Sequence, residues 1–158
     1  DEEATKFVTI LAESIGIEAN EKIKRYILDK IGWNIPFFIQ LLLSRLPVGE
    51  ITKTEVDEAY GHLLLTGSFD TWHERLNIEY GNNKDVAKLI LKYLCVAIDG
   101  KTRDEIYNHI YAKIPTFEND EMGLLLRALM TDGYLVRDNE QYKFRSPLLR
   151  DYWKETYC

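Results

Sequence analysis

The sequence has few cysteines, no excess of positive charge and no long apolar run. Only two of its 158 residues are cysteines, Cys95 and Cys158, which excludes a disulfide-based scaffold and favours a reducing, cytoplasmic compartment. Apolar runs such as Leu41–Leu43 are too short for a membrane-spanning helix, so we expect no membrane partner. The formal net charge of −6 excludes a generally basic nucleic-acid-binding surface. A hydrophobic content of 46% nevertheless suffices for a buried core.

Charge is unevenly distributed along the chain and indicates two domains. Residues 1–83 contain 8 basic and 14 acidic side chains, whereas residues 84–158 contain 12 of each. The change falls at residues 80–83, Tyr-Gly-Asn-Asn, where glycine and asparagine favour a turn. We therefore predict a helical domain over residues 1–80 and a second domain over residues 84–158. Because the chain starts at Asp1 with no leader, we expect it to be a piece of a longer protein.

The N-terminal half has the apolar period of four or five helices. Gly16 and Gly32 are predicted to end the first two, and Thr52 with Glu55 forms a capping box at the start of a later one. Pro36 is tolerated in the first turn of the third helix because its missing N–H has no helical partner there. No stretch in this half has the two-residue period of a strand, so we predict no strand in it.

The C-terminal half has the element order of a winged helix-turn-helix domain. Amphipathic helices are predicted near residues 86–97, 102–114 and 118–131. The period then changes to two in Tyr134–Arg137 and in Gln141–Arg145, which flank a short turn and predict a β-hairpin. Three helices followed by a hairpin are typical of the winged helix. The predicted fold class is therefore mainly α, with four or five helices followed by a winged helix-turn-helix with one β-hairpin.

The segment Gly100-Lys101-Thr102 matches the end of a phosphate loop, but its context does not. The full motif needs glycine at position 95, where this chain has a cysteine, and a strand before it, where the period is helical. Thr102 is better explained as a helix cap paired with Glu105. No metal-ligand spacing, nucleophile–base pair or paired carboxylates stand out. We therefore predict no catalytic residue, no metal site and no enzyme activity for this chain alone.

DNA binding is the function that a winged helix most directly suggests. The predicted recognition helix begins with Glu118, Asp120 and Glu121, whose carboxylates would repel phosphates. The hairpin carries three cations that could contact DNA phosphates or a protein partner: Arg137, Lys143 and Arg145. Such cations also protect an edge hairpin from pairing, and this half has no net charge. We therefore expect weak or no DNA binding and favour a protein partner.

The loop Gly32-Trp33-Asn34-Ile35-Pro36 is the other candidate site. Glycine and proline bracket a tight turn between two helices, with a tryptophan inside it. In one interpretation the loop is a connector whose tryptophan fills the helical bundle. In the other, the N-terminus of the following helix approaches an anionic or aromatic ligand through its dipole and exposed N–H groups. Both interpretations fit the spacing.

Three local patterns occur in an order that is typical of one protein family. They are Gly32-x-x-x-Pro36 followed by Phe37–Leu42, Phe69-x-x-Trp72-x-x-Arg75-Leu76-x-x-x-Tyr80, and Tyr142-x-Phe144-Arg145-Ser146-Pro147-Leu148-Leu149-Arg150-x-Tyr152-Trp153. Together they resemble the C-terminal region of STAND-type AAA+ ATPases, close to the archaeal and bacterial ATPase group. The resemblance spans nearly the whole chain.

The resemblance implies a lid-type helical bundle over a bound nucleotide, followed by a winged-helix relay. By resemblance, the residues near the nucleotide are Gly32, Trp33, Asn34 and Pro36. The parent protein would be an ATPase switch that uses ATP or ADP with Mg, while this chain would hold no cofactor of its own. Its partners would be the missing N-terminal ATPase domain and a protein bound by the winged helix.

A DNA-binding transcriptional regulator is the alternative function. In that case the N-terminal bundle would be an effector or oligomerisation domain, and the winged helix would contact DNA. The sequence before Asp1 distinguishes the two hypotheses. A phosphate loop there would support the ATPase, whereas a natural start near residue 1 would favour the regulator.

Overall fold

Helices dominate the computed structural model, which describes residues 2–66 and 69–158. Helix accounts for 66% of the chain and strand for 9%, which confirms the predicted mainly α class. Over the described residues there are nine α-helices and five short strands. None of these helices has the length and apolar character that a membrane crossing requires. The chain divides into two compact units, Asp1–Gly67 and Ser68–Cys158.

The first unit contains four helices around one apolar core. Two of its helix ends follow local signals in the sequence. Gly16 and Gly32 have φ values of +78° and +70°, a region that glycine adopts without steric cost. The Asn20 side chain accepts a 3.0 Å hydrogen bond from the N–H of Ile23 and starts the second helix. The helices are α1 (Glu2–Ser14), α2 (Glu21–Ile31), α3 (Pro36–Leu43) and α4 (Lys53–Thr66), and they bury Val8, Ile27, Leu42 and Leu63, respectively.

The first unit also contains two short strands, so the prediction that this half has none is wrong. Strands β1 (Ile17–Glu18) and β2 (Gly49–Glu50) pair in parallel, with Ile17 opposite Gly49. A strand of two residues is too short to show an alternating pattern, and one of the four residues is a glycine. The two strands are also separated in the sequence by α2 and α3. No local sequence pattern indicates a contact between segments so far apart.

The second unit contains five helices and a three-stranded sheet. Its helices are α5 (Asp70–Glu79), α6 (Lys84–Leu94), α7 (Arg103–Tyr111), α8 (Asn119–Thr131) and α9 (Pro147–Tyr157). Its strands are β3 (Lys101–Thr102), β4 (Leu135–Asp138) and β5 (Gln141–Phe144), in the antiparallel order β3-β5-β4. The core includes Ile90, Ile106, Leu126, Tyr134 and Trp153, each at most 1% exposed.

The predicted hairpin is confirmed, with a tighter turn than expected. Strand β4 pairs with β5 from Leu135 opposite Phe144 to Asp138 opposite Gln141. Only two residues remain in the turn, and both have positive φ, as the favoured two-residue hairpin turns require. The sequence did not predict the third strand, β3, because it has only two residues and the second, Thr102, carries the capping signal of α7.

The division between the two units does not fall at the predicted linker, residues 80–83. That segment contains a 3-10 turn between α5 and α6, and α5 belongs to the second unit. The Phe69 ring stacks on Tyr152 with ring centroids 4.3 Å apart. The hydroxyl of Tyr80 donates a 2.6 Å hydrogen bond to Asp132. Burial is the main cause that raises the pKa of Tyr80, and this hydrogen bond is the second. The change in charge at residues 80–83 therefore does not coincide with the division between the units. The division is set by packing contacts, which join α5 to the second unit.

Candidate functional site

The predicted nucleotide-proximal residues form a tight turn between α2 and α3. The N–H of Gly32 donates a 2.9 Å hydrogen bond to the Leu28 carbonyl and closes α2. The N–H of Ile35 donates a 2.8 Å bond to the Trp33 carbonyl. Pro36 then takes the first position of α3, and no side chain of the described residues caps that helix. The positive end of the α3 dipole therefore lies at this turn.

Trp33 lies against α3 and is only half-buried. Its ring meets Phe38 edge-on, with centroids 5.9 Å apart, and Phe38 is fully buried. This contact attaches the turn to the core. It agrees with the first interpretation of the loop, in which Trp33 packs against the helical bundle. Trp33 as a whole residue remains partly exposed to solvent.

Asn34 carries an unsatisfied polar atom. Its Oδ1 is buried and has no hydrogen-bond partner among the described residues. A buried acceptor without a partner costs about 1–3 kcal/mol, so such an atom in a folded protein requires an explanation. Because this atom is closed to solvent, a ligand donor would reach it only if the Asn34 side chain turned towards an adjoining cavity.

Two cavities flank Asn34 and differ in chemistry. A cavity of about 280 Å³ is bounded by α1 and α2, and its wall includes the carboxylates Glu2, Glu21 and Asp29 with Arg25. A second cavity of about 270 Å³ is mainly apolar. Its lining residues are Glu3, Ala4, Phe7, Asn34, Pro36 and Ile39. Three carboxylates against one guanidinium disfavour a phosphate in the first cavity, whereas the second suits a flat apolar ring.

The hairpin cations are largely paired with neighbouring carboxylates. Arg137 forms an ion pair with Glu140, and its guanidinium carbon lies 5.7 Å from the centroid of the Tyr142 ring. Lys143 Nζ lies 2.8 Å from a carboxylate oxygen of Asp138. The third cation, Arg145, is exposed, and its backbone N–H donates to the Tyr134 carbonyl at 2.9 Å. The structure thus brings the three cations onto one hairpin, but two of them are already neutralised locally.

The acidic residues at the start of α8 lie where the sequence predicted them. Glu118 is the N-cap residue without a side-chain capping bond, and Asp120 and Glu121 lie in the first turn. All three are exposed. Their carboxylates interact favourably with the positive end of the helix dipole, and they repel an approaching phosphate.

We expect the chain to bind duplex DNA weakly. With at most three phosphate contacts, log affinity should fall with log salt concentration with a slope no steeper than about −3. Replacing Arg137, Lys143 and Arg145 with alanine should abolish what binding exists, whereas Glu118→Lys with Asp120→Lys should strengthen it on any sequence. Fluorescence anisotropy with random duplexes measures both. Tight, sequence-dependent binding near physiological salt would contradict this expectation.

Two of the three histidines, His73 and His109, pack against aromatic rings of the second unit. The His109 ring stacks on Tyr93 with centroids 3.9 Å apart, and burial, followed by the charge of Lys113, lowers the pKa of His109. The Nδ1 atom of His73 lies 2.7 Å from the Tyr157 hydroxyl oxygen. Across residues 2–66 and 69–158, no three His, Cys, Asp or Glu side chains converge in a way that could hold a metal ion.

Sequence reasoning missed the proximity of the two cysteines. Cys95 is 1% exposed, which agrees with its prediction as a small buried side chain. Its Sγ lies 2.6 Å from that of Cys158, although 63 positions separate the two residues. No spacing rule reports a contact at that separation, so only the packing of α6 against α9 reveals it.

Comparison with known proteins adds no family to these observations. No protein-family model matches the sequence, and no curated protein matches it. Membership of the STAND-type ATPases therefore stays a prediction that rests on the three sequence patterns.

Proposed function

We propose that this chain is the nucleotide-sensing lid and winged-helix relay of a STAND-type AAA+ ATPase switch, without its ATP-hydrolysing core. One observation carries the proposal. The turn that resembles the family's Gly/Pro turn holds a buried acceptor without a partner, Asn34 Oδ1, beside an apolar cavity at the start of α3.

The turn suits the base of a nucleotide better than its phosphates. Phe7 and Pro36 supply apolar surface for a flat ring, and Asn34 Oδ1 is complementary to the amino group of adenine. The carboxylates of the neighbouring cavity repel phosphates. The phosphates and Mg would therefore be held by the phosphate-loop domain of the parent protein, which would also supply hydrolysis. The lid would report on the nucleotide by closing on its base.

The second unit supports the relay role. Helices α6, α7 and α8 precede the β4–β5 hairpin, and β3 pairs with β5, an element order that supports a winged-helix domain. Ion pairs on the hairpin and carboxylates at the start of α8 weaken the alternative of a DNA-binding regulator. A protein partner is the better match for this mixed-charge surface, and the nucleotide-dependent angle of the lid would be passed to it.

We expect the chain to bind adenosine weakly, with Kd of about 1–10 mM, and ATP no more tightly, because only the base is contacted and the neighbouring carboxylates repel the phosphates. Asn34→Ala should weaken binding about 5- to 10-fold, since it removes one hydrogen bond worth about 1 kcal/mol. Titration followed by the NMR signal of the Trp33 indole N–H measures this change.

The matched control is Asn82→Ala, which removes an exposed asparagine from the second unit and should leave the affinity unchanged. Equal affinities of Asn34→Ala and the unmodified chain would contradict the proposal. Binding that requires the triphosphate would contradict it as well.

A further inference from the structure

The two cysteines of the chain meet where α6 and α9 end. Cys95 directly follows α6, and Cys158 directly follows α9. Both are free thiols, and their Sγ atoms lie 2.6 Å apart. Because the sequence has no other cysteine, this is the one pair that can form within the chain. The two sulfurs need only a small approach to reach the length of a disulfide bond, about 2.05 Å.

The two thiols differ in accessibility. Cys95 is buried, its Sγ donates a 3.1 Å hydrogen bond to the Lys92 carbonyl, and burial raises the pKa of the Cys95 thiol to about 12. Cys158 is exposed. A dissolved oxidant therefore reaches Cys158 first, with Cys95 next to it as a second thiol. An accessible cysteine next to a resolving cysteine is the arrangement of reversible redox sites.

We propose that Cys95 and Cys158 form a redox-modification site that a hydroperoxide converts to an intramolecular disulfide. The Cys158 thiolate attacks one peroxide oxygen, the O–O bond breaks, and Cys158 becomes a sulfenic acid as hydroxide leaves. The Cys95 sulfur then attacks the Cys158 sulfur, the S–O bond breaks, and the Cys95 proton leaves with the departing oxygen as water. Overall, two thiols and one hydrogen peroxide give one disulfide and two waters.

The disulfide would lock the contact between α6 and α9. A cavity of about 380 Å³ lies at this contact, lined by Leu89 and Lys92 of α6 and by Trp153 and Tyr157 of α9. Tyr157 immediately precedes Cys158, so the new bond would hold its ring at the cavity. The loop that the bond closes contains the three-stranded sheet, α7, α8 and α9. Oxidation would therefore make the second unit more rigid. This effect is the same whether the chain binds a nucleotide, DNA or neither, so the inference does not depend on the proposed function.

The test uses the reduced 158-residue chain treated with about one equivalent of hydrogen peroxide. Both thiols should disappear from a titration under denaturing conditions, and the intact mass should fall by about 2 Da, the two hydrogens lost on forming the bond. No disulfide between two chains should form, and the melting temperature should rise by at least about 5 °C because the cross-link constrains the unfolded state. Dithiothreitol should reverse all three changes.

Cys158→Ser is the matched control, because it removes the exposed thiol and leaves the buried Cys95 in place. In this variant the Cys95 thiol should survive the same peroxide treatment, and the melting temperature should not rise. Two free thiols in the unmodified chain after treatment would overturn the proposal. A covalent dimer through Cys158, or Cys158 oxidised to a sulfinic acid with Cys95 still free, would overturn it equally.

Discussion

Trp153→Ala should destabilise the second unit by about 3–5 kcal/mol, the usual loss when a buried tryptophan is truncated. Trp153 is 1% exposed. Its ring centroid lies 4.7 Å from that of Tyr157, 6.4 Å from Tyr134 and 6.5 Å from Phe144. Removing the indole leaves a cavity that these aromatic rings cannot fill without leaving their own contacts. Urea unfolding followed by circular dichroism measures the loss.

The control for this truncation is Leu124→Ala, at a position that is 68% exposed on α8, which should change stability by no more than about 0.5 kcal/mol. The variant Trp153→Phe separates the effect of losing side-chain volume from the effect of removing the indole N–H. The indole Nε1 is buried without a partner among the described residues, so phenylalanine removes an unsatisfied donor while keeping an aromatic ring. We expect that variant to lose only about 1 kcal/mol. A loss as large as that of the alanine variant would show that Nε1 has a partner.

Gly100→Ala should destabilise the second unit by about 2–4 kcal/mol. Gly100 has φ +90°, a conformation in which an L side chain is strained. An added Cβ would also lie 2.7 Å from the carbonyl oxygen of Tyr142 and 3.1 Å from the Cβ of Gln141. The first of these is a backbone atom of β5, which pairs with β3 at Lys101, so it cannot withdraw without breaking the sheet.

Gly123→Ala should have the opposite sign. Gly123 lies within α8, and among the described residues no heavy atom outside its own helix lies within 4 Å of an added Cβ. Alanine should therefore stabilise the helix by about 0.5–1 kcal/mol, because glycine loses more backbone entropy on folding. Thermal unfolding of both glycine variants tests the pair. A destabilised Gly123→Ala, or a Gly100→Ala as stable as the unmodified chain, would contradict the packing described here.

Helix ends and the hairpin were predictable because their signals are local. Gly32 ends α2 as predicted, and Thr102 with Glu105 forms a complete capping box at α7. Asn139 and Glu140 adopt the positive φ values that a two-residue hairpin turn needs. Each of these features depends on residues within four positions of one another, so the sequence alone carries the information.

Features that depend on distant residues were not predictable. The β1–β2 pair joins Ile17 to Gly49, and β3 joins the hairpin through two residues that show no alternation. The assignment of α5 to the second unit depends on contacts such as that between Tyr80 and Asp132, which are 52 positions apart. The charge composition predicted a boundary at the turn after α5. Charged side chains indicate which surfaces are exposed to solvent, but they do not indicate which core a helix joins.

The candidate site was predictable in part. Its residues are consecutive, so the Gly/Pro pattern was enough to select Gly32 to Pro36 from the sequence. The unpaired Oδ1 of Asn34 and the two cavities beside it depend on how α1 packs against α2 and α3. Apolar periodicity gives the buried face of each helix but not the gaps between helices.

The most direct test of the nucleotide-sensing lid is to locate bound adenosine on the isotope-labelled chain by NMR. The account predicts that backbone and side-chain signals shift at Phe7, Trp33, Asn34 and Ile39, and that Asn34→Ala reduces these shifts at equal adenosine concentration. Residues 135–144 of the hairpin should not shift. Absence of shifts at the turn up to about 10 mM adenosine, or shifts confined to the hairpin, would contradict the assignment of this turn to the base of a nucleotide.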